Sequence, residues 1–176
     1  MADSPEVLLV CPRFRVVRQP QITRDGKAHM REWVQLAGAV TIIPVLPDGR
    51  VALIRNNRMA VSETLIELPA GTLEAGEDPT EAAKRELMEE TGYRPGKIRK
   101  LREFFMSPGI MHERMHLYLA TELTPGPTAL EEGELIEPLV LTWDEVMARV
   151  EAGEIRDAKT LVGLLSYDRL LRSGQA

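Results

Sequence analysis

The sequence predicts an α/β protein: an α/β/α sandwich on a mixed sheet, with a small β lobe at the N-terminus. Three observations predict it. Short runs rich in Val, Ile and Leu alternate with turn residues along most of the chain. One glutamate-rich segment in the middle carries the start and stop signals of a helix. Two more helical segments close the chain, the last with Leu161, Leu164, Leu165 and Leu171 near helical spacing. Many strands with few helices bury their apolar faces best when helices cover both sides of one sheet.

The elements follow in order. Glu6–Val17 reads as a strand, and so does His29–Val45, rich in Val and Ile. Pro47-Asp48-Gly49 is a turn signal ahead of Val51–Arg55, which makes a hairpin. Thr64–Leu68 is a short strand, and Gly71 to Glu77 is a loop entering the central helix. Asp78 and Thr80 are N-cap candidates, Pro79 suits a first turn and Gly92 is a stop, so the helix spans Pro79 to Thr91. Ile98–Phe105 and Arg114–Thr121 are strands. An acidic loop with Gly and Pro covers 125–134, and Leu135–Leu141 is another strand. Thr142 caps a helix through Glu151, with Trp143 and Val146 inward. Asp157–Leu171 is the final amphipathic helix. Residues 1–36 are surplus to the core and form the lobe; 37–176 form the main domain.

Composition bounds the function. The 176 residues suit one domain with a small addition. Hydrophobic content of 44% with 28% charged residues is ordinary for a soluble globular protein. The net charge is −5, from 27 acidic and 22 basic residues, with no basic block, which argues against a nucleic-acid partner. A small anionic substrate stays open, because metal ions can mediate that contact. The single Cys11 rules out an internal disulfide and fits a reducing compartment. His29, His112 and His116 form no zinc motif. The apolar run Val7–Val10 is too short for a signal-peptide core or a membrane span, so the cytoplasm is the expected location and no membrane is expected as a partner.

The chemistry sits in GTLEAGEDPTEAAKRELMEETGY, Gly71 to Tyr93. On the helix, Glu86 and Glu90 lie four apart and Glu86 and Glu89 three apart, so all three carboxylates share a face. Clustered carboxylates repel unless something neutralises them, and hard oxygen ligands suit Mg²⁺ or Mn²⁺. Such metals bridge phosphate oxygens and acidify water. Arg85 is placed to orient the carboxylates, and Gly71 to permit a tight turn that aims the Ala70 carbonyl.

The pattern G-x5-E-x7-R-E-U-x-E-E-x-G-U, with U a bulky apolar or aromatic residue, is complete here and resembles the signature of the Nudix hydrolases. Seven fixed positions, each met by chance about 7% of the time, make an accidental match roughly a 10⁻⁸ event per starting point. The resemblance implies the same α/β/α sandwich, cleavage of a diphosphate linkage with divalent metal, and a metal site of Ala70, Glu86, Glu90 and Glu134. Within Ser107-Pro108-Gly109, Pro108 lies sixteen residues after Gly92, a spacing similar to ADP-ribose pyrophosphatases within that family. The resemblance to that group implies Glu132 as general base, with Glu89 as the alternative. It also implies Arg58 on a phosphate, Glu113 on a ribose, and Arg31 and Glu32 at the adenine end from the second subunit of a homodimer; Trp33 is a candidate stacking face. The activity implied is hydrolysis of ADP-ribose to AMP and ribose 5-phosphate. Rival readings are another nucleotide-sugar pyrophosphatase, such as one for GDP-mannose, a hydrolase of damaged nucleoside triphosphates, and a non-catalytic nucleotide-sugar sensor.

Overall fold

The first three strands, β1 (Glu6–Val10), β2 (Arg15–Ile22) and β3 (Ala28–Gln35), pair in sequence as an antiparallel meander. A computed structural model describes residues 4–130, 133 and 135–175. After the meander come β4 (Ala39–Pro44), β5 (Val51–Arg58), β6 (Glu63–Glu67) and β7 (Ala70–Thr72), then α1 (Pro79–Thr91). The remainder is β8 (Tyr93–Phe105), β9 (Met111–His112), β10 (Arg114–Pro125), β11 (Ile136–Leu141), α2 (Trp143–Glu151) and α3 (Ala158–Arg172).

Every residue of β4 is buried, as expected of a central strand covered on both faces. It runs parallel to β10, with Met115 opposite Ala39 and Ala120 opposite Pro44. The sheet order is β7-β4-β10-β8, and a second sheet of β11-β5-β6 lies beside it. Side chains alternate along β4 because successive strand residues face opposite ways. Val40 and Ile42 pack with Ala82, Ala83 and Leu87 of α1 and with Tyr118. Ile43 packs on the other face with Leu117, Val146 of α2 and Leu164 of α3. One helix on one face and two on the other make the mixed-sheet α/β/α sandwich. Leu87 is fully buried in this packing, worth about 1.5–3 kcal/mol in apolar transfer.

Several expected boundaries are corrected. The expected strand Glu6–Val17 is two strands. The chain turns at 11–14, where the Cys11 N–H donates to the Phe14 carbonyl at 2.9 Å, and Pro12 cannot donate to a ladder. His29–Val45 likewise splits into β3 and β4, which belong to different sheets. The expected loop after Gly71 begins with β7, paired to β4 through Ala70–Thr41 and Thr72–Ala39. β8 starts at Tyr93 rather than Ile98, because its antiparallel pairing with β10 continues to Pro125. The short β9, absent from the sequence reading, pairs parallel to β3 and links the N-terminal meander to later chain. Among the described residues no helix is long and apolar enough to cross a membrane.

Candidate active site

The site is built by how α1 is started, stopped and seated. The Asp78 carboxylate accepts from the N–H of Thr80 at 2.8 Å and of Glu81 at 3.4 Å, and Pro79 occupies the first turn. Gly92 ends the helix in the left-handed conformation, φ 76°, with its N–H on the Met88 carbonyl. Ala82, Ala83 and Leu87 hold one face against the sheet. The opposite face therefore presents Arg85, Glu86, Glu89 and Glu90 to a cavity of about 630 Å³.

Arg85 is the hub of that face. Its Nε and Nη2 donate to Glu77 at 3.0 and 3.1 Å, and its Nη1 donates to Glu86 at 2.8 Å and Glu89 at 3.1 Å. These partners raise the Arg85 pKa well above its ordinary value: the Glu77 hydrogen bond contributes most, burial opposes, and Glu86 and Glu89 add. The same Arg85 bond holds the Glu77 carboxyl below the usual carboxylate range. Glu77, given no role by the sequence reading, thus braces the arginine, and the Glu74 N–H in turn braces Glu77 at 2.9 Å. Glu90 is 3% exposed and accepts from the Ala70 N–H at 2.9 Å, which ties the helix to β7.

Gly71 has a different task from the tight turn expected of it. It lies within β7, and a Cβ there would fall on the carboxylate of Glu86, far inside the 3.0 Å that real Cβ contacts respect. The residue is glycine because Glu86 occupies that space.

The cavity carries more negative than positive charge. Glu74, Glu86, Glu89 and Glu90 line it with Arg13, Arg58 and Arg85. Two of those arginines are already engaged, Arg85 by Glu77 and Arg58 by Glu67. Carboxylate oxygens are the donor type that a hard divalent cation takes. Among the described residues, no three His, Cys, Asp or Glu side chains are arranged to hold a metal ion, with Arg85 standing between Glu86 and Glu89.

The remaining expected residues fall in different places. Ala70 and Arg58 line the cavity. Glu132 and Glu134 lie outside the described residues; Gly133 lines the cavity. Glu113 is half-buried and is not among the cavity-lining residues; burial pushes its carboxyl pKa up, with Lys159 opposing. Arg31, Glu32 and Trp33 line a separate depression with Pro108 and Gly109, and Trp33 and Pro108 also border an apolar hollow with Phe105, Met111 and His112. The sequence reading missed Arg13 and Asn56, which the fold delivers to the cavity from the turn between β1 and β2 and from β5. No local motif marks them. A larger depression of about 770 Å³, lined by Lys84, Lys97 and Arg99, holds no acidic cluster.

A braced arginine amid carboxylates, on a loop and helix packed to a mixed sheet, makes a charged cavity suited to a polar, ionic ligand. The family model described as the NUDIX domain matches residues 15–162. The chain belongs to the Nudix family and is a Nudix hydrolase. It is 40% identical over 154 residues to the ADP-ribose pyrophosphatase of Bacillus subtilis (strain 168), covering 86% of this chain and 83% of that protein. It is 36% identical over 142 residues to the methanol dehydrogenase activator of Bacillus methanolicus, covering 80% and 77%. It is 36% identical over 157 residues to the GDP-mannose pyrophosphatase of Escherichia coli O1:K1, covering 82% and 81%. A crystal structure of an ADP compounds hydrolase superposes with TM-score 0.83 at 22% identity over 100% of this chain and 99% of that one, a likeness of fold.

Proposed function

We propose that this chain hydrolyses ADP-ribose to AMP and ribose 5-phosphate as a Mg²⁺- or Mn²⁺-dependent homodimer in the cytoplasm. The observation that carries the reaction class is the carboxylate face of α1, with Glu86, Glu89 and Glu90 at one cavity and Arg85 locking two of them. The substrate assignment draws on the 40% identity to a protein named for ADP-ribose.

Glu86, Glu90, Glu134 and the Ala70 carbonyl would hold the divalent ions, which supply positive charge toward the diphosphate and acidify nearby water. Glu132 accepts the proton from the attacking water, with Glu89 as the alternative base. Arg85 keeps Glu86 and Glu89 aimed into the cavity. Arg58 uses Nε and Nη2 on Glu67, so its Nη1 is the part directed to a phosphate. Glu113 accepts from a ribose hydroxyl. Arg31 and Glu32 serve the adenine end of the other subunit's site, and Trp33 offers a stacking face. Dimer formation is supported by β1, an edge strand whose Val7, Leu8, Leu9 and Val10 are all exposed.

The decisive experiment is product analysis with ADP-ribose, GDP-mannose and diadenosine polyphosphates, each with Mg²⁺ and with chelator. AMP and ribose 5-phosphate formed fastest from ADP-ribose, and only with metal, is the expected result. A preference for GDP-mannose would move the substrate to the second reading, which the 36% identity to a protein of that name favours. Turnover undiminished in chelator would refute the metal chemistry.

A further inference from the structure

Behind Arg58 lies a buried ionic chain that the reaction does not use directly. The Glu67 side chain is 0% exposed, and its Oε1 and Oε2 accept from Nε and Nη2 of Arg58 at 2.8 and 2.6 Å. The same Oε2 accepts from Nζ of Lys159 at 2.5 Å. Lys159, 5% exposed, also donates to Asp157 at 2.8 Å. Asp157 caps α3 by accepting from the Thr160 N–H at 3.0 Å and from the Thr160 hydroxyl at 2.6 Å. The circuit closes on the backbone, because the Leu68 N–H donates to the Thr160 hydroxyl oxygen at 2.9 Å. Glu67 is thus gripped through its carboxylate and through the residue after it, both from the first turn of α3.

A lysine in such a place is costly unless it is fully paired. A simple Arg–carboxylate pair would hold Arg58 without it. The lysine adds a second bond to Oε2 from the first turn of α3, so the carboxylate that Arg58 grips is itself tied to that helix. Two cations and two carboxylates make up the chain, and the Glu113 carboxyl also lies within electrostatic reach of Lys159. Arg58 lines the cavity with Glu90 and Gly71.

We propose that Lys159 and Asp157 are positioning residues for Arg58: the N-terminus of α3 acts through Glu67 to aim a phosphate-binding guanidinium at the cavity. This rests on the reading that the cavity takes a diphosphate. The test is a double-mutant cycle on ADP-ribose with wild type, Arg58→Ala, Lys159→Met and the double variant, with Lys159→Arg as rescue and unfolding temperatures for each. Lys159→Met should raise KM about tenfold with kcat within about threefold, add less than about twofold once Arg58 is alanine, and be largely rescued by arginine. If Lys159→Met does not fold, Asp157→Asn with Lys159→Met, which removes one charge of each sign, takes its place in the cycle. An unchanged KM, or the same rise with Arg58 absent, overturns the proposal. If wild type fails to cleave ADP-ribose, the functional reading fails separately. The cycle is then read by calorimetric titration with ADP, where equal factors with and without Arg58 again overturn it.

Discussion

Replacing Gly71 by alanine tests how tightly the catalytic glutamates are placed. The new methyl lands on the Glu86 carboxylate. To regain ordinary contact near 3.4 Å, that group must retreat by more than about 1 Å, a misplacement that can cost on the order of 100-fold in rate. The retreat also loosens the 2.8 Å bond from Arg85. The stability cost is small by comparison, because the clash is with the far end of a flexible side chain. Losing one charged hydrogen bond between partly exposed groups costs about 1 kcal/mol, which lowers the unfolding temperature by roughly 2–4 °C in a chain of this size. Steady-state hydrolysis of ADP-ribose and calorimetry on the same preparation separate the two effects. A folded Gly71→Ala protein with kcat within about twofold of wild type would show that Glu86 need not stand where it does.

Other perturbations probe the neighbouring groups. Glu90→Gln should lose most turnover, at least about 100-fold, with little change in unfolding temperature, since the amide oxygen can still accept from the Ala70 N–H; rates near wild type would remove Glu90 from the metal site. Glu113→Gln should raise KM yet stabilise the protein above acidic pH. Burial raises the Glu113 pKa above the ordinary carboxylate value, so in acid both proteins carry a neutral group, and as pH rises through the native value only wild type bears the unfavourable charge. Unfolding temperatures that diverge with rising pH are expected, and parallel curves would contradict the sign. Arg13→Ala should raise KM for a dianionic substrate about threefold to tenfold with kcat held, read by steady-state kinetics. Leu9→Asp should shift the sedimentation coefficient from dimer toward monomer, whereas an unaltered value would place the contact elsewhere.

The parts legible in the sequence are those whose cause is local. Asp78, Pro79 and Gly92 delimit α1 by short-range chemistry, and the spacing of Glu86, Glu89 and Glu90 places them on one face whatever lies around them. Thr142 marks α2 for the same reason, through a capping box with Glu145. What stayed hidden depends on pairing across the chain. β3 and β4 read as one strand because the single break signal between Gln35 and Ala39 is Gly38, and one glycine does not announce that the two halves join different sheets. The three residues of β7 include a glycine, and only the neighbouring β4 makes them a strand. Arg13 and Asn56 reach the cavity by folding alone, and the brace of Glu77 on Arg85 needs the loop geometry that precedes the helix.

The parallel seam between β4 and β10 also governs how the polypeptide acquires its structure. Ala39 meets Met115, so the middle of the sheet cannot zip until the chain between them has emerged. Such distant pairing slows folding and leaves the apolar β4 segment waiting during synthesis. Fragments ending before Arg114 should therefore collapse without a native centre, and shielding of β4 amides from hydrogen exchange should appear late in refolding, together with that of β10.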